Sequence, residues 1–149
     1  PAGVTRQLIG IARPDFLPVY AEAIGQLDYD TVMLVSGDEP LDEISVCGPS
    51  TCLKVGTAPF RINPEDIGLP GHTPDALRGG DAAYNADALR RLLGGETGAY
   101  RDAVLLNAAA ALIVAGEAHD WHEGVEEAAE AIDKGLANAL LNCWISSLR

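Results

Sequence analysis

The chain has 149 residues, about one domain, which on folding can bury roughly two-thirds of its extended surface. Hydrophobic residues make up 48% and charged ones 21%, which argues against wholesale disorder, and an aromatic share of only 5% leaves the core to Ala, Leu, Ile and Val. Ten Lys and Arg against 22 Asp and Glu give a net charge of −12; that field repels phosphate backbones and anionic lipid, so neither nucleic acid nor membrane is an expected partner.

The chain opens on Pro1 rather than Met and shows no basic-then-apolar leader, which predicts a mature or excised piece without a targeting segment. Val4, Leu8 and Ile11 fall on one helical face, predicting a helix over 4–12 that Pro14 brings to a stop. Asp15 is placed to cap a second helix running to about Leu27, with Pro18 tolerable in its first turn. Thr31 to Val35 is a continuous apolar run rich in β-branched residues, the pattern of a strand covered on both faces inside a parallel sheet. Thr51 to Val55 and Ala58 to Ile62 read as weaker strands around Gly56, and Asn63 to Gly68 as a turn leaving the sheet. Leu69 to Pro74 is a loop, too short to be a domain boundary.

Alanine-rich helical periodicity dominates beyond residue 72. Asp81 heads a helix that stops at Gly94-Gly95, and a strongly apolar helix follows from Ala99 to Ala115 with Gly116 as its stop. The longest apolar stretch, Ala103 to Gly116, is interrupted by Asn107 and is too short to span a bilayer. Asp120 and Glu123 have capping-box spacing, with Asp in place of Ser or Thr. From Val125 to Cys143 the apolar residues recur at helical spacing, interrupted by Gly135. The expected architecture is α/β: part of a mostly parallel sheet with surrounding helices and a helix-rich C-terminal half.

The strongest chemical candidate follows the buried strand. Asp38, Glu39, Asp42 and Glu43 place four carboxylates within six residues, where open α/β sheets bind their ligands. Hard oxygens at that density suit Mg²⁺, which takes one or two carboxylates and otherwise keeps water or substrate phosphate. A solvated acidic loop that caps the next element gives the same pattern, and spacing leaves both readings open. Arg78-Gly-Gly-Asp81 has the glycines of a phosphate cradle, but it follows no strand and ends in a carboxylate; a glycine turn with an N-cap is expected. Asn107, inside the apolar helix, is expected to be a buried amide tying that helix to a neighbouring loop. His72, His119 and His122 share no ligand spacing with the cysteines, and the last two suit capping or solvation at a helix start. Cys47, Cys52 and Cys143 form an odd set that completes no zinc site and reads as reduced, cytosolic thiols. No serine elbow, Walker loop or dinucleotide fingerprint occurs.

Several segments, taken in order, carry a resemblance. Gln7-Leu-Ile-Gly10, Leu41-Asp-Glu-Ile44, Pro64-Glu-Asp-Ile-Gly68, Arg78-Gly-Gly-Asp81, Asn85-Ala86 and Leu105 to Leu112 together resemble the anthranilate phosphoribosyltransferases. The resemblance covers essentially all 149 residues but only the C-terminal part of that family's large α/β domain; the N-terminal helical domain and the pyrophosphate-loop segment have no counterpart here. It implies a Mg²⁺-dependent glycosyltransferase of tryptophan biosynthesis that moves the phosphoribosyl group of phosphoribosyl pyrophosphate (PRPP) to the amine of anthranilate and releases pyrophosphate. It maps the family's metal-binding Asp-Glu pair onto Asp42 and Glu43, and implies a cytoplasmic homodimer completed by the upstream half. Two positions depart from the family: Ser36 stands where His is usual and Pro40 where Gly is usual. The glycine-rich pyrophosphate loop, the Lys/Asn/Arg segment and the anthranilate-holding arginine are not among these residues, so the chain alone is expected to be inactive. Strands of the missing half are expected to pair with Thr31 to Val35, leaving that strand uncovered and the chain prone to aggregation. Related pyrimidine nucleoside phosphorylases, a nucleic-acid-binding relative of the same fold and an inactive scaffold fragment are the competing readings. The Leu-Asp-Glu and Leu-Leu-Asn-Ala-Ala runs and the absence of a basic stripe weigh against the first two.

Overall fold

In the computed structural model, residues 3–39 and 41–148 are described, so Pro40 and the two ends lie outside them. Among the described residues the strands are β1 (Arg6–Gly10), β2 (Thr31–Gly37), β3 (Ser50–Lys54) and β4 (Phe60–Ile62). The helices are α1 (Leu17–Ile24), α2 (Ala82–Leu93), α3 (Ala99–Ala115), α4 (Trp121–Asp133) and α5 (Leu136–Ser147).

The sheet order is β1-β2-β3-β4. The α/β class expected from sequence holds, with parallel pairing confined to β1 and β2; β2–β3 and β3–β4 run antiparallel. β2 is the central apolar run, and its side chains alternate between two covered faces. Met33 and Val35 pack with Leu106, Ala110 and Val114 of α3, while Val32 and Leu34 pack with Ile11 and with Leu17 of α1. Leu34 is fully buried, as a strand covered on both sides requires.

Three expectations are corrected. The helix expected over 4–12 is strand β1, with Leu8 on the α3 face and Ile9 on the α1 face. Its short apolar segment fits either period, and pairing from Arg6↔Thr31 to Gly10↔Val35 decides for the strand. The Asp15 cap is not formed: Asp15 pairs with Arg13, a short 3₁₀ turn covers Pro14–Phe16, and α1 runs only from Leu17 to Ile24. β2 is not uncovered either, because this chain supplies a partner strand on each side of it, and the outer strand beyond β2 is β1.

The C-terminal half matches the sequence reading closely. Asp81 caps α2, its side chain accepting from the Tyr84 N–H at 2.8 Å, and Asp120 caps α4 by accepting from the Glu123 N–H at 2.9 Å. Glu123 reaches back to the His119 N–H at 2.6 Å, one residue before the cap, closing the box. The long periodic segment divides at Gly135, which sits at φ 72°, where a side chain would be strained, so α4 and α5 are separate helices.

Candidate functional site

β2 ends at Gly37, and the chain then folds back over the carboxyl ends of β1 and β2 before entering β3. The Gly37 N–H donates to the Leu41 carbonyl at 3.0 Å and closes the first turn of this loop. Its second half is anchored from within. The Ser45 N–H donates to Ser50 Oγ at 2.8 Å, and the Cys47 N–H to Ser45 Oγ at 2.9 Å, with both serines buried.

The four carboxylates separate into two pairs. Asp38 receives both ends of the Arg61 guanidinium, with Nη1 at 2.6 Å from Oδ1, and that partner holds its carboxyl below the usual carboxylate range. Glu39 accepts the Ser45 hydroxyl. Asp42 and Glu43 are exposed, and among the described residues no hydrogen bond or ion pair engages either side chain. They rim a cleft of about 710 Å³ between the loop, the ends of β1 and β2, and the α3 flank at Ala103, Val104 and Asn107. That volume lies within the range of small-molecule sites.

Asn107 takes the structural role expected of it. Its Oδ1 accepts the Ile44 N–H at 2.9 Å, and its Nδ2 donates to the Ile44 carbonyl at 2.9 Å and to the Ala103 carbonyl at 3.0 Å. The amide therefore ties α3 to the residue following Glu43. Arg78-Gly-Gly-Asp81 also follows the structural expectation. Asn85 accepts the Gly80 N–H at 2.9 Å and returns a bond to the Gly80 carbonyl at 3.0 Å, so the turn is closed on itself.

Two features escaped the sequence reading. His72 Nε2 lies 2.6 Å from Asp102 Oδ2, and the His72 N–H donates to Val46 at 2.8 Å, which joins the loop after β4 to the first turn of α3 and to the loop behind the cleft. Nothing in the spacing of residues 72 and 102 signals that pair. The other is Gly10, against which Asp42 packs directly. A lone glycine in an apolar strand run is a sign of close backbone approach, and here the assignment of that run to a helix hid it.

Among the described residues no cluster of three or more His, Cys, Asp or Glu could enclose a metal ion. Asp42 and Glu43 thus offer two oxygen ligands on an open rim. That fits Mg²⁺, which keeps several waters or phosphate oxygens, and does not fit a closed structural zinc site. The three cysteines are free: Cys47 is half-buried, Cys52 buried and Cys143 exposed. No helix of the described residues is long and apolar enough to cross a membrane.

Known proteins resemble this chain over nearly its whole length. An anthranilate phosphoribosyltransferase of Novosphingobium aromaticivorans is 63% identical over 151 residues, covering 99% of this chain and 46% of the relative. That of Erythrobacter litoralis is 52% identical, over 97% of this chain and 45% of the relative. The chain thus spans less than half the length of the curated relatives it matches. The crystal structure of anthranilate phosphoribosyltransferase from Thermus thermophilus superposes with a TM-score of 0.84 at 36% identity, covering 92% of this chain and 41% of that one. The enzyme from Saccharomyces cerevisiae in complex with PRPP and Mg does so with a TM-score of 0.87 at 27% identity, covering 98% and 42%. The resemblance carried by the sequence segments holds in both kinds of comparison. The profile described as "Glycosyl transferase family, a/b domain" matches residues 1–138, and the chain belongs to that family.

Proposed function

We propose that this chain forms the C-terminal part of the α/β domain of an anthranilate phosphoribosyltransferase, the part that brings Asp42 and Glu43 to the active site. The complete protein would transfer the phosphoribosyl group of PRPP to the anthranilate amine and release pyrophosphate. The carrying observation is the exposed pair at the mouth of the cleft, without a partner among the described residues, in a chain similar over nearly its whole length to enzymes of that name. A bound Mg²⁺ would neutralise charge on the departing pyrophosphate. The residues of this chain have the simpler task of presenting two carboxylate oxygens to solvent. Arg61 and Ser45 hold Asp38 and Glu39 aside, so the loop's charge is concentrated on the pair that faces the cleft.

Phosphoribosyl transfer also needs the pyrophosphate cradled and the acceptor amine held in line, and positioning of that kind supplies much of the acceleration. The resemblance gives those tasks to segments not found here, which the upstream half of a cytoplasmic homodimer would contribute. We therefore infer that the 149 residues alone turn over no substrate. The test is a chimera in which this chain replaces the matching segment of the Novosphingobium relative. The chimera is expected to form phosphoribosyl anthranilate from PRPP and anthranilate, and the isolated chain to form none. A correctly folded chimera without activity, or an active isolated chain, would refute the reading.

A further inference from the structure

The carboxylate loop is fixed to the scaffold at two points, one on a strand and one on a helix. From α3, Asn107 binds both backbone groups of Ile44, each at 2.9 Å, and so reproduces with a side chain the paired bonds of an antiparallel strand. Ile44 is 1% exposed, so its amide and carbonyl have no water to turn to. From β1, Gly10 meets the other side of the loop. A Cβ built there would lie 1.6 Å from the Asp42 carbonyl oxygen and 2.6 Å from its carbon. Gly10 is not among the glycines with positive φ, so backbone freedom does not account for glycine at this position. The contact with Asp42 does.

We propose that Gly10 and Asn107 are positioning residues for the Asp42–Glu43 pair, one setting how closely the loop lies on β1 and the other its height along α3. This rests on the reading of that pair as the ligands of a divalent cation. Adjacent carboxylates repel each other, and on an unrestrained loop they would spread apart at a cost to any ion that needs both. Fixing the backbone at Asp42 and immediately after the pair removes that freedom without adding charge, because one clamp is a neutral amide and the other a missing methyl group. Groups that orient metal ligands typically change metal affinity about 10- to 100-fold when removed.

Mn²⁺ is the probe, since its paramagnetism reports weak binding at named amides of the ¹⁵N-labelled chain. In the parent, substoichiometric Mn²⁺ should selectively broaden Leu41 to Ser45, and Asp42→Asn/Glu43→Gln should abolish the effect. Persistence of the broadening in that double variant, or none in the parent, overturns the metal reading and with it any role for the clamps in cation binding. Given a parental response, Gly10→Ala and Asn107→Ala should each weaken the apparent Mn²⁺ affinity about 10-fold or more while resonances elsewhere stay in place. Asn107→Ala should also strip the Ile44 amide of its hydrogen-exchange protection while Leu106 and Ala110 keep theirs. Parental affinity in both alanine variants overturns the positioning role and leaves the metal reading standing. If Gly10→Ala loses its native spectrum, Asn107→Ala decides alone, because alanine is favoured in a helix and water can fill the small void.

Discussion

Each conspicuous polar side chain around the loop removes a specific competitor or satisfies a specific backbone group. Arg61 takes Asp38, Ser45 takes Glu39, and Asn107 takes the backbone of Ile44, which leaves Asp42 and Glu43 as the carboxylates open to the cleft. Cys52 shows the opposite treatment. It is fully buried beneath the loop, and burial pushes its thiol up to about 12, although the positive charge of Arg61 pulls slightly the other way. The sign follows directly: a thiol pKa raised on folding favours the protonated native state, so its contribution is intact below about pH 8.5 and is lost as pH climbs toward the native value. Iodoacetamide at about pH 8.5 should therefore label Cys143 in the native chain and spare Cys52 until denaturant is added. Peptide mapping reads the outcome, and native labelling of Cys52 at the rate of Cys143 would show that the sheet beneath the loop is open.

At the scale of elements, legibility followed the length of the periodic signal. α2 and α3 are bounded by an aspartate cap or by glycines, and both run where the sequence predicted. β2 was recognisable because its apolar run is continuous and β-branched. β1 was not, because Val4, Leu8 and Ile11 satisfy a helical period over a segment too short to refute it, and only pairing with β2 settles the matter. The helical period over β1 also masks Gly10 and the close approach of Asp42. The carboxylate pair itself was visible as a cluster, but its division into engaged and open members depends on Arg61 and Ser45, whose proximity no spacing encodes. Helix contact supplies another case. α3 and α4 touch at Gly124, where an added Cβ would lie 2.9 Å from both Cα and Cβ of Ala109. Gly124→Val should push the helices apart and cost about 1–3 kcal/mol, measured by urea unfolding against the parent. A change below about 0.5 kcal/mol, the scatter of ordinary surface substitutions, would show that the helices can slide at no cost.

At the scale of the whole molecule, a sheet covered on both faces brings the carboxyl ends of β1 and β2, the loop and the flank of α3 to one cleft. The surface away from it is less finished: Leu136, Leu140, Trp144 and Leu148 stand exposed at four-residue intervals along and just beyond α5. The apolar exposure expected on the central strand is not found there, since β1 and β3 flank β2 and Val32 to Val35 are buried. We propose Asp42 and Glu43 as the metal ligands of a phosphoribosyl transfer, and the proposed function rests on that assignment. Its most direct test is the rate of phosphoribosyl anthranilate formation by the chimera as a function of Mg²⁺, with Asp42→Asn and Glu43→Gln beside the parent. Loss of a ligand should exceed the effect of losing an outer partner, so each variant should fall about 100-fold or more at limiting Mg²⁺ and demand higher Mg²⁺ for whatever rate remains. Parental rates with an unchanged Mg²⁺ dependence in both variants would contradict the claim.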